Sequence, residues 1–293
     1  MLAGRRRSLA RWLTARSFGH RFAVMKPFVP ALGLIVSVQI AMFAQYETPK
    51  DVRAPGGSTV KRTGPRTGPT PRLPDGTPDL DGVWVGGGPV NDLEADSGMK
   101  PGEIDNLMLP WAKALMATRD VTQEPHNRCL PMGVPRTTPF PFRFVPNYTH
   151  RRPTHLFILQ EGNIHTYRQI FMDGRTHPEE LDPTWYGHSI GTWEKDTLVI
   201  DTIGYNDKFW FDRRGHPHTE QLHTIERWTR LNMELLENRV TIDDPGAYTK
   251  PFTMRFFALL SAPDDLSEYI CTENNQYGVE SIPGWAEKFG RPQ

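Results

Sequence analysis

The feature that most constrains the fold is a series of short runs in which apolar and polar residues alternate. These runs lie at residues 155–160, 164–171, 190–194, 197–203, 220–230, 234–242 and 252–260. A period of two is typical of strands that bury one face. Between them lie short turns at Glu161-Gly162-Asn163, Lys195-Asp196 and Leu231-Asn232, which indicate hairpins. The chain therefore predicts an antiparallel sheet in which neighbouring strands pair.

Two Gly-x-Trp sequences favour the closure of this sheet into a barrel. Gly82-Val83-Trp84 opens a first strand at residues 81–85, and Gly191-Thr192-Trp193 opens another. In lipocalin-like barrels a tryptophan at such a position packs across the open end. A further short strand is expected at residues 269–271. We predict a mainly β fold, an antiparallel lipocalin-like β-barrel of about eight strands, formed by residues 76–293 as one domain.

Two other segments between the first strand and the hairpins have clear signatures. One N-terminal helix is predicted from Glu103 to Arg119, with its main segment starting at Pro110. Residues 129–153 hold six prolines among aromatic residues. Proline excludes a helix, so this segment is expected to be extended, lying over an apolar surface or along a sheet edge.

The N-terminal part of the chain resembles an export signal. Residues 1–44 contain seven basic and no acidic residues, and an apolar run from Phe28 to Ala44 closes the segment. This layout predicts a signal peptide, with Met25 as an alternative start, and a periplasmic or secreted protein. An uncleaved membrane anchor and a twin-arginine signal at Arg5-Arg6-Arg7 are the alternatives. Residues 45–75 are rich in proline and glycine and are expected to form a flexible tether.

The net charge of the chain limits the classes of partner that it can bind. The chain has 34 basic and 34 acidic residues, so removing the seven basic residues of 1–44 leaves 27 against 34, a net charge of −7. An acidic domain lacks the basic surface that nucleic acids require, so nucleic acid is not expected as a partner.

The two cysteines, Cys129 and Cys271, can form one disulfide or remain two buried thiols. The sequence does not indicate an oligomeric state.

An acid–base site is the sharpest functional hypothesis. A polar and aromatic loop between two strands holds Asp173, Arg175, His177, Trp185, Tyr186 and His188. Arg168 and Glu226 stand inside apolar strands, where a charge needs a partner, so they form either an internal ion pair or part of a site. The predicted catalytic residues are His188, His223, Glu226, Arg168, Tyr186 and Asp173. The predicted substrate-binding residues are Arg175, His177, Trp185, Trp210 and Trp228.

A metal site is a second hypothesis. Residues 216–226 are dense in potential ligands, namely His216, His218, Glu220 and His223. Such a set suits zinc or another divalent metal, although neither HExxH nor another standard spacing is present. The alternative is a solvated loop followed by a strand whose ionic residues pair with neighbouring arginines. We expect no cofactor.

Several long motifs resemble those of a family of exported bacterial proteins, most of them uncharacterised. The motifs are GTPDLDGVW at 76–84, YRQIFMDGR at 167–175, WYGHSIGTWEKDTLV at 185–199 and DDPGAYTKP at 243–251. The resemblance covers residues 74–280 and implies a lipocalin-type barrel, but it brings no established reaction. Family members often have Cys-His-Glu where this chain has Cys271-Thr272-Glu273. No histidine role is therefore carried over to that position.

Three functions follow as alternatives. The first is an enzyme of the lyase or isomerase class that acts on a small apolar or aromatic compound by acid–base chemistry. The second is a lipocalin-like protein that binds a small molecule without chemistry. The third is a metal-dependent enzyme that uses the 216–226 cluster. Each takes a small-molecule partner, and contact with the membrane is expected only through the N-terminal export segment.

Overall fold

The computed structural model describes residues 68–149, 152–162, 166–261 and 265–273. Nine strands form a closed barrel in sequence order, β1 through β9, so the predicted lipocalin-like β-barrel is confirmed with one strand more than expected. The strands are β1 Val83–Gly86, β2 Phe142–Thr149, β3 Arg152–Gln160, β4 Tyr167–Phe171, β5 His188–Glu194, β6 Thr197–Ile203, β7 His223–Arg230, β8 Leu235–Asp243 and β9 Phe252–Leu260. The signal peptide and most of the tether predicted from the sequence lie outside the described residues.

The prediction of a purely antiparallel barrel is wrong at one place. β4 and β5 run parallel and pair only through Ile170 with Ser189 and Phe171 with Ile190. A parallel pair needs a long return connection, which residues 172–187 supply. The pairing covers only two residues of each strand, so Arg168, two positions before Ile170, has no partner on β5.

The proline-rich segment contributes a strand to the barrel. β2 pairs with β3 along its length, but with β1 only through Val83–Arg143 and Trp84–Phe142. Most of β2 therefore has no β1 partner, a position where Pro146 is tolerated because proline cannot donate to a ladder. The expectation of an extended segment is therefore confirmed for Phe142–Thr149, whereas residues 134–140 form turns and bends.

Helices are few and short in the described part of the chain. α1 spans Leu93–Ser97 and α2 spans Pro110–Thr118, with 3₁₀ turns at Asp105–Leu107, Val121–Gln123 and Pro125–Arg128. The predicted helix therefore begins at Pro110 and not at Glu103. Leu109 has ψ of 155°, the extended conformation that a following proline favours. The sequence prediction missed α1, which Asp92 caps through the N–H groups of Glu94 and Ala95.

Apolar side chains fill the barrel in two clusters. One lies where β1 begins and includes Trp84, Phe142, Phe144 and Trp228. Trp84 is fully buried there, donates from Nε1 to the Leu80 carbonyl at 2.9 Å, and lies 4.9 Å below the Arg230 guanidinium. The other cluster joins β8 and β9 to α1, α2 and residues 205–222. The barrel interior is therefore a packed core over most of its length.

The C-terminal part of the described chain is held by a covalent bond. Cys129 and Cys271 form a disulfide, which is one of the two states that the sequence allowed. No strand occurs at residues 269–271, so that prediction is wrong. Among the described residues no helix has the length and apolar character needed to cross a membrane.

Candidate active site

A buried ion pair between β4 and β7 lies inside the barrel. Arg168 of β4 donates from Nη2 to Oε2 of Glu226 of β7 at 2.6 Å, and their side chains are 0% and 1% exposed. Both point inward because alternate residues of a strand share a face. Burial disfavours the charged guanidinium, but the Glu226 carboxylate more than offsets this and raises the pKa of Arg168.

Arg168 has more donors than the surrounding protein uses. Within the described residues its Nε and Nη1 atoms are buried and have no hydrogen-bond partner. Nearby inward-facing hydroxyls are paired with one another. Tyr205 Oη lies 2.7 Å from Thr224 Oγ1, and Ser189 Oγ lies 2.8 Å from Thr202 Oγ1. An unsatisfied buried donor costs free energy, so these N–H groups favour an additional acceptor.

A cavity of about 620 Å³ opens beside this arginine. We name it the Arg168 cavity. Its lining includes Arg168, Phe171, Leu181, Tyr186, His188 and Ser189. The size is within the usual range for small-molecule sites, and the mixture of apolar walls with a few polar groups is typical of them. Arg168, Tyr186 and His188 are all among the lining residues, but the side chain of Arg168 is 0% exposed and is paired with Glu226 inside the barrel.

His188 is the first member of a hydrogen-bonded chain on the wall of the barrel. Its Nδ1 lies 2.8 Å from Nδ1 of His177, whose Nε2 lies 3.3 Å from Oδ1 of Asp201. His223 donates from Nε2 to the same carboxylate oxygen at 2.7 Å. The strand register brings these side chains together. Asp201 pairs with Ile190 of β5 and with Ile225 of β7, so it lies on the opposite face of the sheet from the inward-facing Ser189 and Thr224. His223 therefore contacts Asp201 and not the interior ion pair.

The hydrogen bonds determine the tautomer of His188. Asp201 can only accept, so His177 donates from Nε2, and in neutral His177 the Nδ1 atom is then an acceptor. His188 must donate from its Nδ1, which leaves its Nε2 with a lone pair. Burial, together with the neighbouring His177 and Arg175, lowers the pKa of His188. A neutral imidazole with a free lone pair beside a cavity is suited to accept a proton.

Arg175 and Asp173 support this histidine from outside. The Arg175 guanidinium lies 3.9 Å from the centroid of the Phe171 ring, which in turn stacks on His188 at 4.9 Å. Asp173 accepts hydrogen bonds from Arg175, which lower the pKa of Asp173 to about 2. In the structure Asp173 therefore holds the Arg175 guanidinium over the Phe171 ring.

The predicted aromatic binding residues are part of the core. Trp228 is fully buried inside the barrel, and Trp210 is 7% exposed with Arg119 4.8 Å from its ring centroid. Trp185 packs against the cluster around α1 and α2. None of the three is among the residues that line the Arg168 cavity. Their size and spacing in the sequence do not distinguish core packing from ligand contact.

A larger cavity lies where β1 begins and has a volume of about 900 Å³. We name it the Trp193 cavity. Its lining includes Leu73, Phe144, Tyr148, Leu156, Met172 and Trp193. Its walls are mostly apolar, and the sequence analysis singled out only Trp193 among these residues. The alternation of Phe142, Phe144, Pro146 and Tyr148 along β2 was a signal that could have identified this face.

The four proposed metal ligands do not come together. His218 is buried, and its ring centroid lies 3.9 Å from that of Phe209. It donates from Nε2 to the Phe209 carbonyl at 3.0 Å, and burial lowers its pKa to about 4. Glu220 is exposed, and His223 is bound to Asp201. Throughout residues 68–273, where described, no group of three or more His, Cys, Asp or Glu side chains is arranged to hold a metal ion.

His216 instead joins two loops through two carboxylates. It is fully buried and donates to Asp212 at 2.6 Å from Nδ1 and to Asp105 at 2.9 Å from Nε2. Burial alone would lower the pKa of His216. The hydrogen bonds to Asp105 and Asp212 outweigh this effect and raise the pKa to about 9. Donation from both nitrogens requires the imidazolium, so this histidine is charged at neutral pH.

This interaction predicts a loss of stability at alkaline pH. The folded pKa of His216 is about 9 and its ordinary value is 6.5, a difference that is equivalent to about 3 kcal/mol. Because the folded value is raised, this contribution is complete below pH 6.5 and is lost as the pH rises through 9. Urea unfolding between these pH values should show the decline. His216→Gln should be less stable and should lose most of this pH dependence, whereas an unchanged slope would contradict the assignment.

Two further features of the site escaped the sequence analysis. Asp201 and Tyr205 were not predicted, although an acidic residue inside the apolar run Thr197–Ile203 is the kind of signal that marked Arg168 and Glu226. Together with His188 they complete an arrangement suited to proton transfer beside a small cavity.

Comparison of the chain with protein-family models, curated proteins and solved structures found no match.

Proposed function

We propose that the protein is an exported enzyme that transfers a proton on a small apolar or aromatic compound, in the lyase or isomerase class. The observation that carries this proposal is His188, whose tautomer is set by His177 and Asp201 and whose lowered pKa keeps it neutral. It lines the same cavity as the buried Arg168. A neutral base at the wall of a small-molecule cavity is the first requirement for removal of a proton from carbon.

Each residue of the site has a distinct role in this proposal. His188 accepts the proton at Nε2, and Asp201 acts through His177 to stabilise the imidazolium that forms. The buried pair of Arg168 and Glu226 fixes β4 to β7, and β4 carries several residues of the cavity wall. Tyr186 forms part of the wall. His223 orients Asp201 and is therefore a positioning residue.

Export and membership in the family described above are part of the same proposal. The Cys129–Cys271 disulfide supports an oxidising compartment, since such bonds are rare in the cytosol. A basic segment followed by an apolar run at residues 1–44 supports a signal peptide. The net charge of −7 without that segment argues against nucleic acid as a partner.

Hydrogen exchange at carbon tests the proton transfer without knowledge of the natural substrate. A panel of small carbon acids is incubated with the protein in D₂O, and the loss of C–H signals is followed by proton NMR. We expect exchange with the wild type and a loss of about 10²–10⁴-fold in His188→Gln, the usual contribution of a general base. Because the pKa of His188 is lowered, the rate should stay constant to below pH 6.5.

Matched variants separate the base from general damage. Asp201→Asn should slow exchange as well, because it removes the acceptor that fixes the tautomer. His126→Gln serves as the histidine control, since His126 lies in a 3₁₀ turn and contacts the Leu130 carbonyl. Equal exchange rates in the wild type and His188→Gln, with both folded, would refute the assignment of His188.

A lipocalin-like binding protein without chemistry is the second candidate. It is favoured by the Trp193 cavity, whose volume of about 900 Å³ and apolar walls suit a hydrophobic ligand. Trp193 would report such a ligand by quenching or enhancement of its fluorescence. Ligand binding detected there, with no carbon–hydrogen exchange across the panel, would favour this candidate over the enzyme.

A further inference from the structure

We infer that the Trp193 cavity binds a small organic cation, an amine or a quaternary ammonium compound with an apolar body. This site is separate from the one to which proton transfer is assigned, because the Trp193 cavity and the Arg168 cavity share no lining residue. The ligand class is also narrower than the hydrophobic ligand considered above for a binding protein.

The Trp193 cavity borders the apolar core of the barrel. Its volume of about 900 Å³ is in the range of small-molecule sites. Three of its lining residues, Leu80, Phe144 and Leu156, are buried in the apolar cluster where β1 begins. Met172 and Trp193 also line the cavity and pack against the same cluster. The apolar body of a ligand would therefore contact side chains of the barrel core.

Three aromatic side chains line this cavity and differ in their exposure. Phe144 is 2% exposed, Trp193 is half-buried, and Tyr148 is 52% exposed. The face of an aromatic ring carries negative charge density and attracts an ammonium group, and tryptophan does so most strongly. Groups of aromatic rings recognise quaternary ammonium ligands in this way. The walls therefore suit a cation with apolar substituents as well as a neutral hydrophobic ligand.

The charges of the lining residues favour the cation. The charged side chains of the described lining residues are Asp75, Asp79 and Asp81, with no lysine, arginine or histidine among them. Outside the lining, Arg143 pairs with Asp81 at 2.7 Å, and Arg230 lies close enough to Asp79 to interact with it electrostatically. Two of the three carboxylates thus have a cationic neighbour, which reduces their attraction for a ligand.

Asp75 is the carboxylate that retains the most attraction for a cation. Its Oδ1 accepts a hydrogen bond from the Thr77 N–H at 2.9 Å. The hydrogen bonds from Thr77 lower the pKa of Asp75, so the carboxylate is charged at neutral pH. Electrostatic attraction extends over about 8 Å at physiological ionic strength. The carboxylate therefore attracts a cation in the cavity without direct contact.

Binding of three matched probes tests this inference. Benzyltrimethylammonium carries the cation, neopentylbenzene has the same shape with carbon in place of nitrogen, and phenylacetate is an anion. Their affinities for the wild type are measured by ligand-detected NMR. We expect the cation to bind about 5-fold more tightly than neopentylbenzene, the usual size of a cation–π contribution, and more tightly than phenylacetate. Salt at about 1 M should reduce the preference, because it screens the carboxylates.

Two variants with matched controls locate the binding site. Trp193→Leu should lose most of the preference for the cation, whereas Trp111→Leu, at a 43% exposed position on α2, should keep it. Asp75→Asn should weaken binding of the cation by about 2-fold to 5-fold, the effect of an exposed ion pair. Asp207→Asn removes the same charge from an exposed position after β6 and should leave the affinity unchanged. The melting temperature of each variant checks its folding.

Each alternative outcome decides against the organic cation. Equal affinities of the wild type for benzyltrimethylammonium and neopentylbenzene, tighter binding of phenylacetate, or no binding of the cation would each overturn the inference. Equal losses in Asp75→Asn and Asp207→Asn would also overturn it, because the attraction would then come from the net charge of the protein. None of these measurements involves His188. Their failure would leave the proposed proton transfer standing, and a lack of carbon–hydrogen exchange would leave the cation site standing.

Discussion

Arg168→Met alone is expected to lower the free energy of unfolding by about 3–5 kcal/mol, because it leaves the Glu226 carboxylate buried and unpaired. In a domain of this size, that corresponds to a decrease in melting temperature of about 6–20 °C. The double variant Arg168→Met, Glu226→Gln removes both charges and should recover most of the loss. Thermal and urea unfolding of the two variants and the wild type measure the difference.

A neighbouring pair on the surface provides the control. Arg227 follows Glu226 on β7 and bonds to Glu194 at 2.5 Å, but these side chains are 40% and 57% exposed. Arg227→Met is expected to cost at most about 1 kcal/mol, since solvent screens exposed pairs and their ordering costs entropy. Equal losses for Arg168→Met and Arg227→Met would show that burial does not determine the strength of the interior pair.

Removal of the disulfide is expected to have a comparable effect. Cys129 and Cys271 are 142 positions apart, and a loop of that length corresponds to about 5 kcal/mol of lost entropy in the unfolded chain. This value is an upper limit, since unfolded chains keep residual structure. Cys129→Ser, Cys271→Ser should melt about 10–20 °C below the oxidised wild type.

Reduction gives an independent measurement of the same bond. Dithiothreitol should lower the melting temperature of the wild type towards that of the double serine variant. It should not change the variant, because the chain has only two cysteines. A decrease of less than about 2 °C in both cases would mean that the bond contributes little to folding and that its loop is constrained by other contacts.

Local patterning was sufficient to predict most of the barrel. The alternation in residues 197–203 and 252–260 corresponds to β6 Thr197–Ile203 and β9 Phe252–Leu260, because a period of two reports directly which face is buried. The hairpin turns could also be predicted from the sequence, and Lys195 has the positive φ of 55° that a tight turn requires. The parallel pairing of β4 and β5 could not be predicted, because it depends on the path of the loop at residues 172–187.

Two groups of residues near the predicted site show what sequence reasoning can and cannot give. A charge inside an apolar strand needs a partner, so an ion pair of Arg168 and Glu226 was one of the two alternatives that the sequence offered, and the structure shows this pair. The 216–226 cluster shows the opposite case. His216, His218 and His223 are close in sequence but face Asp105, the Phe209 carbonyl and Asp201 respectively. Proximity along the chain therefore gave no information about which of them share a site.

The sequence by itself determined the β class, the barrel, the buried charges and the two cysteines available for a disulfide, because each follows from local periodicity or from the cost of burying a charge. Only the tertiary structure decided that β4 and β5 pair in parallel, that Asp201 joins His177 to His223, and that Trp210 and Trp228 belong to the core. These features depend on contacts between residues distant in sequence. Strand register and loop return set such contacts, and no local pattern encodes them.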